Sequence, residues 1–100
     1  MFILLLEYLQ QISVVEKYLE AHRLYLDKYY NKGLFVCSGP QTPRTGGVII
    51  CKAENKEIVQ QIIAEDPFYY EKIAAYKIIE FSPTKSSKQF QDVFQNEVEG

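Results

Sequence analysis

Apolar residues open the chain in an unbroken run, "FILLL" (Phe2 to Leu6), and the run closes at Glu7-Tyr8 before a polar Gln10-Gln11 step. So short a stretch with polar limits reads as a first strand. The pattern then changes period. From Ser13 to Gly33, Val15, Tyr18, Leu19, Tyr25, Leu26 and Tyr29 fall on one stripe at about 100° per residue, the spacing of an amphipathic helix. Ser13 followed three residues later by Glu16 matches a capping box at its start, and Gly33 suits the left-handed residue that follows a helix end. One long helix is expected here. "LFVCSG" and "GVIICKA" are two more β-branched apolar runs, separated by the Pro- and Gly-bearing connection "PQTPRTG". "NKEIVQQIIAE" returns to helical spacing, with Asn55 placed to cap and Ile58, Val59 and Ile62 on one side. "YKIIEF" (Tyr76 to Phe81) is a fourth strand, ended by Ser82-Pro83.

The order β-α-β-β-α-β predicts an α+β fold, a ferredoxin-like sandwich with both helices on one face of an antiparallel sheet. It spans residues 1–83 as one domain, followed by a polar tail over 84–100. A sheet wet on one side alternates apolar and polar residues, yet "FILLL", "LFVC" and "VIIC" are apolar at successive positions. Both faces therefore want cover, and two helices supply only one. A second copy packed face to face, making a homodimer, is the expected cover. The alternative is the tail itself, where Phe90, Val93 and Phe94 at i, i+3 and i+4 suit a short amphipathic helix after Ser87.

Composition narrows the function classes. A 100-residue chain with 47% hydrophobic and 14% aromatic content supports one domain with a core of its own. A net charge of −2 and a pI of about 5.4 give no basic field for nucleic acid. The opening apolar run is far short of the roughly 20 residues that span a bilayer, and it lacks the basic start of a secretory signal, so a cytoplasmic location without membrane attachment is expected. Cys37 and Cys51 sit in strand segments without a C-x-x-C pair, which fits reduced packing residues and no metal site. Arg44 and Lys52, near the second connection, read as solvated charges, and Glu7 and Glu80 as rim charges.

The lone histidine, His22, lies near the middle of the helical stripe and so points at the sheet. A buried histidine in that position serves packing or chemistry. Three tyrosines on the same stripe favour a partly polar pocket, because buried hydroxyls need partners or water. Asp66 precedes Pro67, the arrangement of a helix start whose carboxylate accepts from the following N–H groups. In this topology the end of the second helix and the middle of the first share one face of the sheet, so Asp66 also has access to His22. A carboxylate bonded to an imidazole fixes its tautomer and makes it more basic, as a general base requires.

"AHRLYLDKYYNKGLFVCSGP", followed later by "AEDPFYYEKIAAYKIIEFSP", resembles the YciI-like (YCII-related) family of small bacterial proteins over roughly residues 1–83. The shared features are a His on the first helix, a Ser-Gly-Pro turn after a strand, and an Asp-Pro-aromatic step before a last strand ending in Pro. The resemblance implies a ferredoxin-like dimer of the dimeric α/β-barrel type. It also implies a centre in which His22 and Asp66 match the family's His-Asp pair and Ser38 matches the turn residue beside it. The chemistry expected is lyase or isomerase action on a small cyclic or phenolic organic acid, with His22 as base, Asp66 as its orienting group and Ser38 or nearby N–H groups holding the oxyanion. Such a reaction needs a base and no cofactor. The rival expectation is a non-catalytic dimeric module that binds a small ligand or a partner protein. Two departures stand out: "PQTPRTGG" is a compact connection, and the tail beyond Pro83 lies outside the resemblance.

Overall fold

The computed structural model describes residues 1–94, and β1 (Phe2–Tyr8) forms the middle of its sheet. Its side chains alternate: Phe2, Leu4 and Leu6 are buried, whereas Ile3 and Leu5 on the opposite face are half-buried. Two antiparallel neighbours flank it, β3 (Gly46–Cys51) and β4 (Ala74–Glu80), and β2 (Phe35–Pro40) adds outside β3, giving the order β2-β3-β1-β4. Leu4 lies opposite Ile49 on one side and Ile78 on the other. Gly46 makes the tight β1–β3 approach possible, since a Cβ there would meet the Leu6 carbonyl oxygen at 1.7 Å.

The helices are α1 (Ile12–Lys17), α2 (Leu19–Asn31), α3 (Lys56–Ala64) and α4 (Pro67–Tyr70), and a short 3-10 turn, Lys88–Phe90, follows the last strand. One core joins them to the sheet: Val15, Tyr25, Tyr29, Val59, Ile62, Ile63 and Phe68 pack with Phe2, Leu4, Leu6, Phe35, Ile49 and Cys51. Each such apolar side chain, fully buried, contributes about 1.5–3 kcal/mol. The arrangement is the ferredoxin-like α+β sandwich expected from the apolar pattern, and Glu7 and Glu80 are exposed as expected of rim charges.

Four local expectations need correction. The single long helix is two, because the Tyr18 N–H bonds to the Val15 carbonyl three residues back and Tyr18 leaves helical geometry (φ −105°, ψ 1°). The helix begins one residue before Ser13, with Gln11 as a cap whose side chain makes no capping bond; Ser13 is thus inside the first turn, where the capping-box geometry does not arise. The last strand starts at Ala74 rather than Tyr76. Beyond Ser87, the expected short helix is a 3-10 turn, Lys88–Phe90, followed by turns over 91–94 in which the Phe94 N–H bonds to the Phe90 carbonyl at 3.2 Å; residues 95–100 lie outside the described residues.

Two ends behave as read. Gly33 has φ +75°, and the bonds Leu34 N–H to Tyr29 O and Gly33 N–H to Tyr30 O close a Schellman motif at the end of α2. Asn55 caps α3 by accepting from the Ile58 N–H at 2.9 Å.

Candidate functional site

Three elements converge on one buried carboxylate. Asp66 follows α3 and caps α4, its Oδ1 accepting from the Phe68 N–H at 2.9 Å. The same oxygen lies 2.8 Å from Nδ1 of His22, which projects from α2 across a sequence separation of 44 residues. Its second oxygen, Oδ2, accepts from the Tyr76 hydroxyl on β4. Asp66 is 0% exposed, so each of these donors replaces water that the carboxylate has lost.

The capping turn does more than supply the carboxylate. Pro67 occupies the first helical position, where a missing N–H costs nothing, and the next residue, Phe68, lays its ring flat on the imidazole with centroids 4.0 Å apart and planes 3° from parallel. His22 is therefore held at an edge by Asp66 and on a face by Phe68. The Tyr25 hydroxyl, one turn along α2, donates to the Ile62 carbonyl at 2.9 Å and ties α2 to the end of α3 from which Asp66 emerges. Lys28 and Glu65 form a further ion pair at 2.5 Å, half-exposed on both sides and so of small energetic weight.

With Nδ1 donating to Asp66, the other ring nitrogen, Nε2, makes no hydrogen bond among the described residues. The ring lines a cavity of about 420 Å³ between α2 and the sheet, whose walls include Tyr8, Leu19, Ser38, Ile49 and Phe68. That volume lies within the roughly 300–1,000 Å³ common for small-molecule sites.

Ser38 reaches this cavity through an irregularity in β2. Phe35 pairs with Cys51, but Cys37 pairs with Ile50, so the register slips by one residue between them. A slip of one residue exchanges the two faces of a strand. Ser38 consequently lies opposite Ile49 on the helix side, where its hydroxyl is 2.6 Å from the Tyr30 hydroxyl of α2. It shares the cavity with His22 but makes no hydrogen bond to the His-Asp pair. The same slip turns Cys37 outward and leaves it exposed, correcting its assignment as a packing residue. Cys51 is buried, and burial pushes its thiol up to about 11.

Sequence reasoning missed Tyr76, Phe68 and Arg44. Tyr76 was legible in principle, since it stands two residues from Ile78 and shares its helix-facing side of β4. Arg44 lines the cavity rather than standing only in solvent, and Lys52 is half-buried. Among the described residues, no group of three His, Cys, Asp or Glu side chains is gathered that could hold a metal. None of their helices is long and apolar enough to cross a membrane.

The hydroxyls around Asp66 are locked in their protonated form. Burial first, and the Asp66 charge second, hold Tyr25 and Tyr76 above the usual tyrosine range. Both groups ionise near pH 10.0 once unfolded but keep their protons when folded. The unfolded chain thus binds fewer protons above that pH, and stability present at neutral pH is lost as pH rises. Each fully shifted group steepens the loss by about 1.4 kcal/mol per pH unit. Urea midpoints followed upward from neutral pH should fall beyond about pH 10, and less steeply in Tyr76→Phe.

The model of the YCII-related domain matches residues 1–82 of the chain. No curated protein matches it. A solved structure similar to it is the 5-chloro-2-hydroxyhydroquinone dehydrochlorinase TftG of Burkholderia phenoliruptrix AC1100, in complex with 2,5-dihydroxybenzoquinone. The two share 22% identity at a TM-score of 0.68 over 89% of this chain and 98% of that one, a likeness of fold. With the domain model covering all four strands and both halves of the buried His22–Asp66 pair, the chain belongs to the YCII-related family.

Proposed function

We propose that this protein is a cofactor-independent acid–base catalyst of lyase or isomerase type, with His22 taking a proton from a small cyclic or phenolic organic acid. One observation carries the reading: the imidazole has one nitrogen bonded to a fully buried carboxylate and the other without a partner among the described residues, in a ring that lines a cavity of ligand size. Asp66 orients the ring and stabilises its charge after proton transfer, the division of labour of a base and its orienting carboxylate. Ser38, on the same cavity wall, holds the developing oxyanion. TftG, which shares the fold, is named for action on a chlorinated hydroxyhydroquinone and holds a dihydroxybenzoquinone, in keeping with a small oxygenated ring as ligand.

Two copies of the chain pack through the sheet face away from the helices in this reading. Register puts Ile3, Leu5, Val48, Ile50 and Ile79 on that face, with Lys77 and the rim residue Glu7. So apolar a face calls for cover. Sedimentation at micromolar concentration should give the mass of a dimer, and a monomer would remove this part of the proposal.

Catalysis is checked by following proton–deuterium exchange and product formation by NMR for a panel of small cyclic and phenolic acids. Removing a general base costs about 10²–10⁴ in rate, so His22→Gln should lose at least two orders of magnitude while keeping its fold. Ligands that bind without exchange or product in the natural protein would leave a non-catalytic binding module.

A further inference from the structure

We propose that Arg44 is the anchor for the ligand's negative charge, and that the ligand is a carboxylate attached to a small apolar ring. The inference rests on the reading of the His22 cavity as a ligand site. Its first support is the charge of the lining: among the described residues the charged side chains of the cavity wall are Arg23 and Arg44, and no Asp or Glu lines it. Positive charge at a concave, partly apolar site focuses the field and draws anions.

The second support is how Arg44 is mounted. Its loop is held to the sheet by the Tyr8 N–H to Thr45 carbonyl bond at 3.0 Å and the Gln41 N–H to Gly46 carbonyl bond at 2.9 Å, and Thr45 Oγ1 donates to Gln41 Oε1 at 3.2 Å. The backbone is thus placed, while the guanidinium lies between Tyr8 on the cavity wall and Glu16. Its ion-pair partner, Glu16 of α1, stands at 3.5 Å, with the two side chains 37% and 58% exposed. An exposed pair of that length contributes little, so a ligand carboxylate displaces Glu16 at small cost. Arginine's planar fork matches a carboxylate in two-point geometry. The apolar walls Leu6, Ile49 and Phe68 then receive the ring, within the same cavity as His22. Glu16 is a placeholder for the ligand's charge.

The test compares benzoate with its uncharged counterpart benzamide by NMR titration of the full chain, in the natural protein and in Arg44→Gln, Glu16→Gln and His22→Gln. The natural protein should prefer benzoate. Arg44→Gln should weaken benzoate about tenfold and leave benzamide unchanged, because the charged hydrogen bond it removes is one that only benzoate makes. Glu16→Gln should tighten benzoate several-fold by removing the competitor, an effect that a merely structural Arg44 would not give. His22→Gln should keep the benzoate preference, so that the anchor and the catalytic reading stand or fall separately. Equal affinity for the two probes in the natural protein, an unchanged preference in Arg44→Gln, or weaker benzoate binding in Glu16→Gln would each overturn the proposal.

Discussion

Asp66→Ala should lower the free energy of unfolding by about 3–5 kcal/mol, the cost of removing one partner from a buried, charge-assisted network. The size follows from what is left behind. The Phe68 N–H, the Tyr76 hydroxyl and Nδ1 of His22 all lose the acceptor that satisfied them, in a place where the carboxylate itself is 0% exposed. The capping bond of α4 goes with it, worth about 1 kcal/mol by itself. Asp66→Asn keeps the shape and one acceptor oxygen, so it should be markedly less costly than Ala. Tyr76→Phe removes one donor and keeps the carboxylate, and should cost about 1–1.5 kcal/mol. Urea unfolding of the three variants gives the ranking. Equal, small losses in all three would show that Asp66 does not organise the site.

Phe68→Ala should cost a similar amount, about 3–5 kcal/mol, by a different route. Phe68 is 2% exposed, packs edge-on against Tyr8 with centroids 6.2 Å apart, and covers one face of the imidazole. Truncation leaves a void against the His22 ring rather than an unsatisfied donor. Phe68→Leu retains much of the buried volume and should recover most of the stability, although it cannot restore the flat stack on His22. Phe68 and Asp66 sit two residues apart and hold the same ring, so their losses should not add; a double variant at the sum of the two single losses would separate them physically.

The frame of the protein was legible because its periods are clear. β1 is apolar at successive positions, α2 repeats apolar residues at helical spacing, and Asn55 and Gly33 mark helix ends with side chains suited to those places. His22 on the inner stripe and Asp66 at an Asp-Pro cap could be paired from topology alone, since both elements share a face of the sheet. What escaped depends on tertiary contacts. The break at Tyr18 has neither Pro nor Gly to announce it. The slip in β2 that exposes Cys37 and turns Ser38 toward the helices is a matter of pairing with β3, which the composition of β2 does not encode. Arg44 looked like an ordinary loop charge because nothing local shows that its loop folds back over the end of β1.

The proposed function turns on one proton: with it on Nδ1 of His22, bonded to Asp66, Nε2 is left as the acceptor. Long-range 1H–15N correlation of the His22 ring, recorded where the imidazole is neutral, reads that proton directly. The structure predicts a single tautomer with hydrogen on Nδ1 and an unprotonated Nε2 signal, lost to tautomer exchange in Asp66→Ala. A neutral ring carrying its hydrogen on Nε2, or rapid exchange between the two forms in the natural protein, would contradict the account.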